Sequence, residues 1–167
     1  MLLIAFAVRY RRPLPILLGA AVGALANSLI AATGGVLVHD LINLRAASLL
    51  VALALAFAGV AAFIGAKKPE MAETWKTGPF LTTAVCFFLL EFGDKTQFLT
   101  FALAAQFDAF ALATAGATAG IVAAGAPAAI LGDRLSALVP LKAIRLGLGI
   151  LFLIIGFVIA INALRLV

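Results

Sequence analysis

A charged stretch interrupts an apolar segment at residues 89–104, which read LLEFGDKTQFLTFALA. Residues three or four apart share one face of a helix. In a continuous helix the carboxylates of Glu91 and Asp94 would therefore project from the same face. Lys95 follows Glu91 by four residues, so the same geometry predicts an ion pair between these two side chains.

Buried charge at this place requires an explanation, because a charged side chain at the centre of a membrane costs about 2.5–3.5 kcal/mol. One explanation is an ion pair that holds two helices together. The other is a cation site, since carboxylate, hydroxyl and amide oxygens suit hard divalent ions such as Mn²⁺, Ca²⁺ and Mg²⁺. Gly93 would let such an ion approach the backbone closely. We predict a cation site with four candidate metal ligands: Glu91, Asp94, Thr96 and Gln97.

The composition is that of an integral membrane protein. Of the 167 residues, 65% are hydrophobic and 11% are charged, and the mean hydropathy is +1.23. The net charge of +5 comes from short basic clusters beside apolar segments. Such clusters orient a chain in the bilayer, so the predicted partner is the lipid bilayer and not nucleic acid.

The sequence predicts an all-α fold with several membrane spans, since a spanning helix needs about 20 apolar residues. The basic residues favour a cytoplasmic location for the loop at 67–78. We therefore divide the chain into a first three-helix repeat at 1–66, a cytoplasmic linker at 67–78, and a second three-helix repeat at 79–167. The predicted spans are 14–38, 46–66, 79–105, 109–131 and 144–163.

The two repeats are related by a shift of 97 residues, the separation of Gly19 and Gly116. The same shift aligns three further glycine pairs: Gly23 with Gly120, Gly35 with Gly132, and Gly59 with Gly156. An odd number of spans in each repeat predicts two copies in opposite orientation, as in many secondary transporters. The first helix of the first repeat, beginning MLLIAFAV, is too short to span and is expected to be truncated at its N-terminus.

Small and polar residues within the spans predict helix contacts. Gly19 and Gly23 form a Gly-x-x-x-Gly pair, as do Gly116 and Gly120, and this spacing is typical of closely packed membrane helices. Asn27 lies in the second predicted span. It could supply an oxygen to the cation site or a hydrogen bond between helices, and the sequence leaves both roles open.

The stretch EFGDKTQ at 91–97 resembles the Glu-x-Gly-Asp-(Lys/Arg)-(Thr/Ser) signature of the GDT family of cation/proton exchangers. The resemblance implies two signatures per chain, three helices per half, and transport of manganese or calcium. It also implies that Glu91 and Asp94 are cation ligands, with Thr96 and Gln97 lining the site. In this register the first signature would fall before Met1, so we expect an internal start, a truncated chain, or a homodimer in which each subunit supplies one signature.

The function predicted from these features is exchange of Mn²⁺ or Ca²⁺ for protons, because a bound cation displaces protons from the carboxylates that bind it. No cofactor is expected, since the metal ion is the transported substrate. The alternatives are an exporter of small solutes or amino acids, and a non-transporting subunit of a membrane complex. An enzyme is not expected, because the sequence lacks the usual hydrolase and metalloprotease motifs. The expected location is the bacterial inner membrane, with several spans.

Overall fold

The computed structural model describes residues 2–64, 78–132 and 134–164. These residues form α-helices and contain no β-strand. The linker predicted at 67–78 lies outside them except for Gly78. In chain order the helices are α1 (Leu2–Tyr10), α2 (Pro13–His39), α3 (Leu44–Ile64), α4 (Pro79–Glu91), α5 (Lys95–Phe107), α6 (Phe110–Leu131), α7 (Arg134–Leu138) and α8 (Leu141–Leu164).

Four of these helices are long and apolar enough to cross a membrane, namely α2, α3, α6 and α8. Their bounds agree with the predicted spans to within a few residues, which confirms an all-helical membrane protein. The continuous helix predicted over 79–105 is wrong, because this segment forms two shorter helices, α4 and α5, with a break between them. The break coincides with the charged signature.

The described residues fall into two compact units, and each draws on both sequence repeats. The first contains residues from 1–27, 66–92 and 115–140. Its core joins α1, the first half of α2, α4 and α6, and Tyr10 donates a hydrogen bond to the Thr82 hydroxyl at 3.3 Å. The buried residues of this core are Leu3, Phe6, Ile16, Ala20, Ala24, Cys86, Phe87 and Ala129.

The second unit contains residues from 28–65, 93–114 and 141–167, and α3 packs along α8 within it. A methyl group added at Gly59 would lie 2.9 Å from the Gly149 carbonyl oxygen, and one at Gly156 would lie 3.0 Å from that of Ala52. The shift of 97 residues relates Gly59 to Gly156 and Ala52 to Gly149, so the two contacts lie at equivalent positions of the two repeats. This reciprocity is what two related copies would produce, although their inverted orientation stays a prediction.

His39 is the last residue of α2 and belongs to the second unit. Its Nδ1 atom lies 2.7 Å from the carbonyl oxygen of Ala105. A carbonyl only accepts hydrogen bonds, so Nδ1 carries the proton. This bond attaches the end of α2 to α5.

Candidate functional site

Helix α4 begins and ends at residues that suit helix termini. Pro79 occupies its first turn, where the missing amide hydrogen costs nothing. At the other end, the amide of Phe92 donates to the carbonyl of Phe88 at 3.0 Å, and Phe92 itself has an extended backbone. The α-helix therefore ends at Glu91, which is half-buried in the first unit.

Gly93 and Asp94 explain why the helix does not continue. Gly93 has a φ of 77°, a left-handed conformation that glycine adopts without strain. Asp94 is extended, with φ −78° and ψ 167°, and is the N-cap residue of α5. Helical hydrogen bonding resumes when the amide of Phe98 donates to the Asp94 carbonyl at 3.1 Å. The charged signature is thus a helix break inside an apolar segment.

The break corrects two sequence predictions. A shared helical face for Glu91 and Asp94 requires a continuous helix, and the chain leaves the helix between them. For the same reason Lys95 is not one turn after Glu91 along a helix. The Lys95 ammonium instead lies 2.7 Å from Oδ2 of the neighbouring Asp94, within the second unit. The two side chains are 40% and 32% exposed, so neither partner of this ion pair is fully buried in the protein.

The other two predicted ligands lie in the first turn of α5. Gln97 Oε1 accepts a hydrogen bond of 2.5 Å from the Gly93 amide, which attaches the break to the helix much as a capping box does. The Gln97 oxygen keeps a second lone pair. Thr96 is half-buried, and its carbonyl accepts a hydrogen bond of 2.9 Å from Thr100. The structure thus brings Asp94, Thr96 and Gln97 together around one helix start.

Helix α2 packs directly against α4 in the first unit, as the first Gly-x-x-x-Gly pair predicted. A methyl group at Gly19 would lie 2.5 Å from the Phe80 carbonyl oxygen, and one at Gly23 would lie 2.7 Å from that of Ala84. The second pair behaves differently, because nothing in the described structure lies within 4 Å of a methyl group at Gly116 or Gly120. The close packing predicted for that pair is not found.

Asn27 continues the face of α2 that carries Gly19 and Gly23. It is 4% exposed, and its Nδ2 donates a hydrogen bond of 3.0 Å to the carbonyl of Phe88. The interhelical hydrogen bond that the sequence allowed is therefore present. The Asn27 Oδ1 atom is buried and has no hydrogen-bond partner among the described residues.

In the described part of the chain, no three His, Cys, Asp or Glu residues lie close enough together to bind one metal ion. A cation bound near the signature would therefore need neutral oxygens as well as carboxylates. Hydroxyl, amide and backbone carbonyl oxygens are ordinary ligands for Ca²⁺, and carboxylate and carbonyl oxygens also suit Mn²⁺. The signature and its surroundings are rich in such groups.

Two buried hydroxyls on α6 were not predicted from the sequence. Thr114 is 6% exposed, and Thr118 follows it by one turn. Neither hydroxyl oxygen has a hydrogen-bond partner among the residues that the structure describes. Threonines spaced by four residues in a helix otherwise rich in alanine and glycine were the available signal. Thr118 lies in the first unit and Thr114 in the second.

Comparisons with known proteins agree with the signature. The family model described as "Divalent cation/proton antiporter GDT1" matches residues 1–70 and 79–166. A protein of Vibrio cholerae serotype O1 described as "Putative manganese exporter" is 37% identical over 107 residues, which cover 63% of this chain and 52% of the relative. The chain thus spans about half the length of this curated relative. No solved structure matches the chain.

Proposed function

Because the chain belongs to the GDT1 family of divalent cation/proton antiporters, we propose that it exchanges a divalent cation for protons and that Glu91 and Asp94 bind the cation. Thr96 and Gln97 complete the proposed ligand set. The family is one of transporters and not of enzymes, and the four long apolar helices make the chain a multi-pass membrane protein. A bacterial inner membrane is the proposed location.

The observation that carries this proposal is the helix break at the signature. Transporters commonly bind ions where a membrane helix is interrupted, because the freed carbonyls and the helix ends face the ion. In this chain the break lies between Glu91 and Lys95 in an otherwise apolar segment. Charged residues placed in such a segment usually serve transport. The same break explains why Gly93 and Asp94 are part of the signature.

Exchange follows from competition for the carboxylates. A carboxylate must lose its proton to bind a metal ion, so cation binding releases protons and proton binding releases the cation. If only the cation-loaded and proton-loaded forms change the side to which the site opens, each cation that crosses is coupled to protons moving the other way. Lys95 competes with the cation for Asp94, since its ammonium lies 2.7 Å from that carboxylate.

We propose Mn²⁺ as the first substrate to test, with Ca²⁺ as the second. Both are hard cations that accept oxygen ligands, and the oxygen-rich signature does not discriminate between them. The Vibrio cholerae relative is described as a manganese exporter, which supports Mn²⁺ for this chain. Zn²⁺ and Cu⁺ are poor candidates because they favour the nitrogen and sulfur ligands that the signature lacks.

The proposal is tested by uptake of radiolabelled Mn²⁺ or Ca²⁺ into everted membrane vesicles with an imposed acid-inside proton gradient. We expect uptake that stops when the gradient is collapsed. The variants Glu91→Gln and Asp94→Asn should each abolish it while leaving the amount of protein in the membrane unchanged. Uptake of neither ion by the unmodified protein would refute the proposed exchange, and unchanged uptake by both variants would refute the proposed ligands.

Asp108→Asn is the matched control for these variants. Asp108 is the C-cap residue of α5 and has a left-handed conformation with φ 48°, which asparagine accepts at least as well as aspartate. The substitution removes the same charge outside the signature. We expect uptake at the rate of the unmodified protein.

A further inference from the structure

We propose that Asn27 is an additional cation ligand, with its side-chain oxygen facing an ion bound at the C-terminal end of α4. The inference rests on the proposed function and concerns the part of the cation site that Glu91 supplies, within the first unit. Asn27 lies outside the signature, 64 positions before Glu91 in the chain, yet its side chain contacts the last turn of α4. Nothing in the signature itself points to this residue.

The orientation of the Asn27 amide follows from its partner. The carbonyl oxygen of Phe88 can only accept hydrogen bonds, so the group 3.0 Å from it must be the NH₂ group. The reversed amide would place two acceptor oxygens against each other. The Oδ1 atom is therefore held away from Phe88, and it cannot satisfy itself by a flip.

The free Oδ1 atom is unusual because it is buried. Asn27 is 4% exposed, and no described residue donates to its oxygen. Buried polar atoms almost always have a partner, and each exception requires an explanation such as an ion or an ordered water molecule. A buried oxygen that is fixed in place and lacks a donor is suited to a cation.

The surroundings favour a cation over a hydrogen-bond donor. Asn27 bonds to the final turn of α4, whose C-terminal end carries about half a negative charge from the aligned peptide dipoles. Glu91, the last residue of α4, lies in the same turn as Phe88. The Phe88 carbonyl already accepts hydrogen bonds from the Phe92 amide and from Asn27. The helix end and the Glu91 carboxylate both favour a positive ion near the Asn27 oxygen.

Two substitutions separate a ligand role from a packing role. Asn27→Ala removes both the hydrogen bond to Phe88 and the free oxygen. Asn27→Asp removes the NH₂ donor but keeps an oxygen at the Oδ1 position and adds a charge that attracts a cation. If Oδ1 binds the ion, Asn27→Ala weakens binding and Asn27→Asp preserves it. If the amide serves only to join α2 and α4, both variants are impaired alike.

The measurement is Mn²⁺ binding to the detergent-purified protein, followed by loss of the electron paramagnetic resonance signal of free Mn²⁺. We expect the Kd of Asn27→Ala to rise about tenfold or more, in line with loss of one interaction with a charged group. The Kd of Asn27→Asp should equal or fall below that of the unmodified protein. Thermal unfolding of each variant shows that it is folded.

The outcomes distinguish this inference from the proposed function. No Mn²⁺ binding by the unmodified protein, or unchanged binding by Glu91→Gln, would overturn the proposed cation site as a whole. Loss of binding in Glu91→Gln together with an unchanged Kd in Asn27→Ala would overturn the role of Asn27 alone. Equal weakening in Asn27→Ala and Asn27→Asp would also overturn it, because the donor and not the oxygen would then matter.

Discussion

Replacing Gly23 by alanine tests the packing of α2 against α4, on which the position of Asn27 depends. The new methyl group would lie 2.7 Å from the Ala84 carbonyl oxygen and 3.1 Å from the Phe88 amide nitrogen. Both are backbone atoms, so they cannot move aside as the end of a flexible side chain could. We expect α2 and α4 to separate and the hydrogen bond from Asn27 to Phe88 to weaken.

The expected change in the free energy of unfolding is the sum of two opposing contributions. Overpacking a tight interface costs about 1–3 kcal/mol, and a clash with backbone places this substitution near the upper end. Alanine favours a helix over glycine by about 1 kcal/mol, which offsets part of the loss. We therefore expect Gly23→Ala to lower the free energy of unfolding by about 2 kcal/mol. For a chain of this size, each kcal/mol lost from the free energy of unfolding lowers the melting temperature by roughly 2–4 °C.

Gly120→Ala is the matched control, because Gly23 and Gly120 hold equivalent positions in the two sequence repeats. Nothing in the described structure lies within 4 Å of a methyl group at Gly120. Only the helix-propensity term remains, so this variant should be as stable as the unmodified protein or more stable, by up to about 1 kcal/mol.

The assay is thermal unfolding of the detergent-purified variants, followed by the loss of the monodisperse peak in size-exclusion chromatography. Gly23→Ala should melt several degrees below the unmodified protein, and Gly120→Ala should not. Binding of Mn²⁺ by Gly23→Ala should weaken as well, because Asn27 loses its position. Equal melting temperatures for the two variants would refute the packing argument, since it depends on the difference between their surroundings.

Two further predictions concern the helix break. Gly93→Ala should cost about 1–2 kcal/mol, because Gly93 has a φ of 77°. The loss comes from the backbone and not from a clash, since no described residue lies within 4 Å of the added methyl group. Gly93→Asn should cost less, and an alanine variant that melts with the unmodified protein would contradict the left-handed conformation. Lys95→Gln should change the free energy of unfolding by less than about 1 kcal/mol, because both partners of the ion pair with Asp94 are only partly buried. The same variant should bind Mn²⁺ more tightly in a titration, as the ammonium no longer competes for Asp94, and clearly weaker binding would contradict that competition.

The long spans could be predicted from the sequence because hydropathy reports directly on which segments are stable in a bilayer. The break between α4 and α5 could not be predicted in this way. Hydropathy averages side chains over a window, whereas the break arises from the backbone conformations of Gly93 and Asp94. The local signal was the Gly-Asp pair itself, since glycine suits a left-handed residue and aspartate suits a helix N-cap.

The partners of individual polar groups were harder to predict than the helices. Lys95 was assigned to Glu91 by helical spacing, and this failed because the spacing rule holds only within a continuous helix. The two Gly-x-x-x-Gly pairs are the same motif, yet only Gly19 and Gly23 lie against another helix. The motif permits close approach but does not supply the neighbour. Asn27 has both a donor and an acceptor, and only the structure shows which one is used.

The contact between α2 and α4 has a consequence for how this sequence can evolve. The atoms nearest to methyl groups at Gly19 and Gly23 are backbone atoms of α4 and the Cβ atoms of Thr83 and Phe87. Every residue except glycine carries such atoms, and Asn27 likewise bonds to a backbone carbonyl. This contact therefore constrains α2 far more than α4. As far as this contact is concerned, the side chains of α4 can change beyond Cβ as long as α2 keeps its two glycines and its amide, whereas Cys86 and Phe87 remain constrained by the buried core of the first unit.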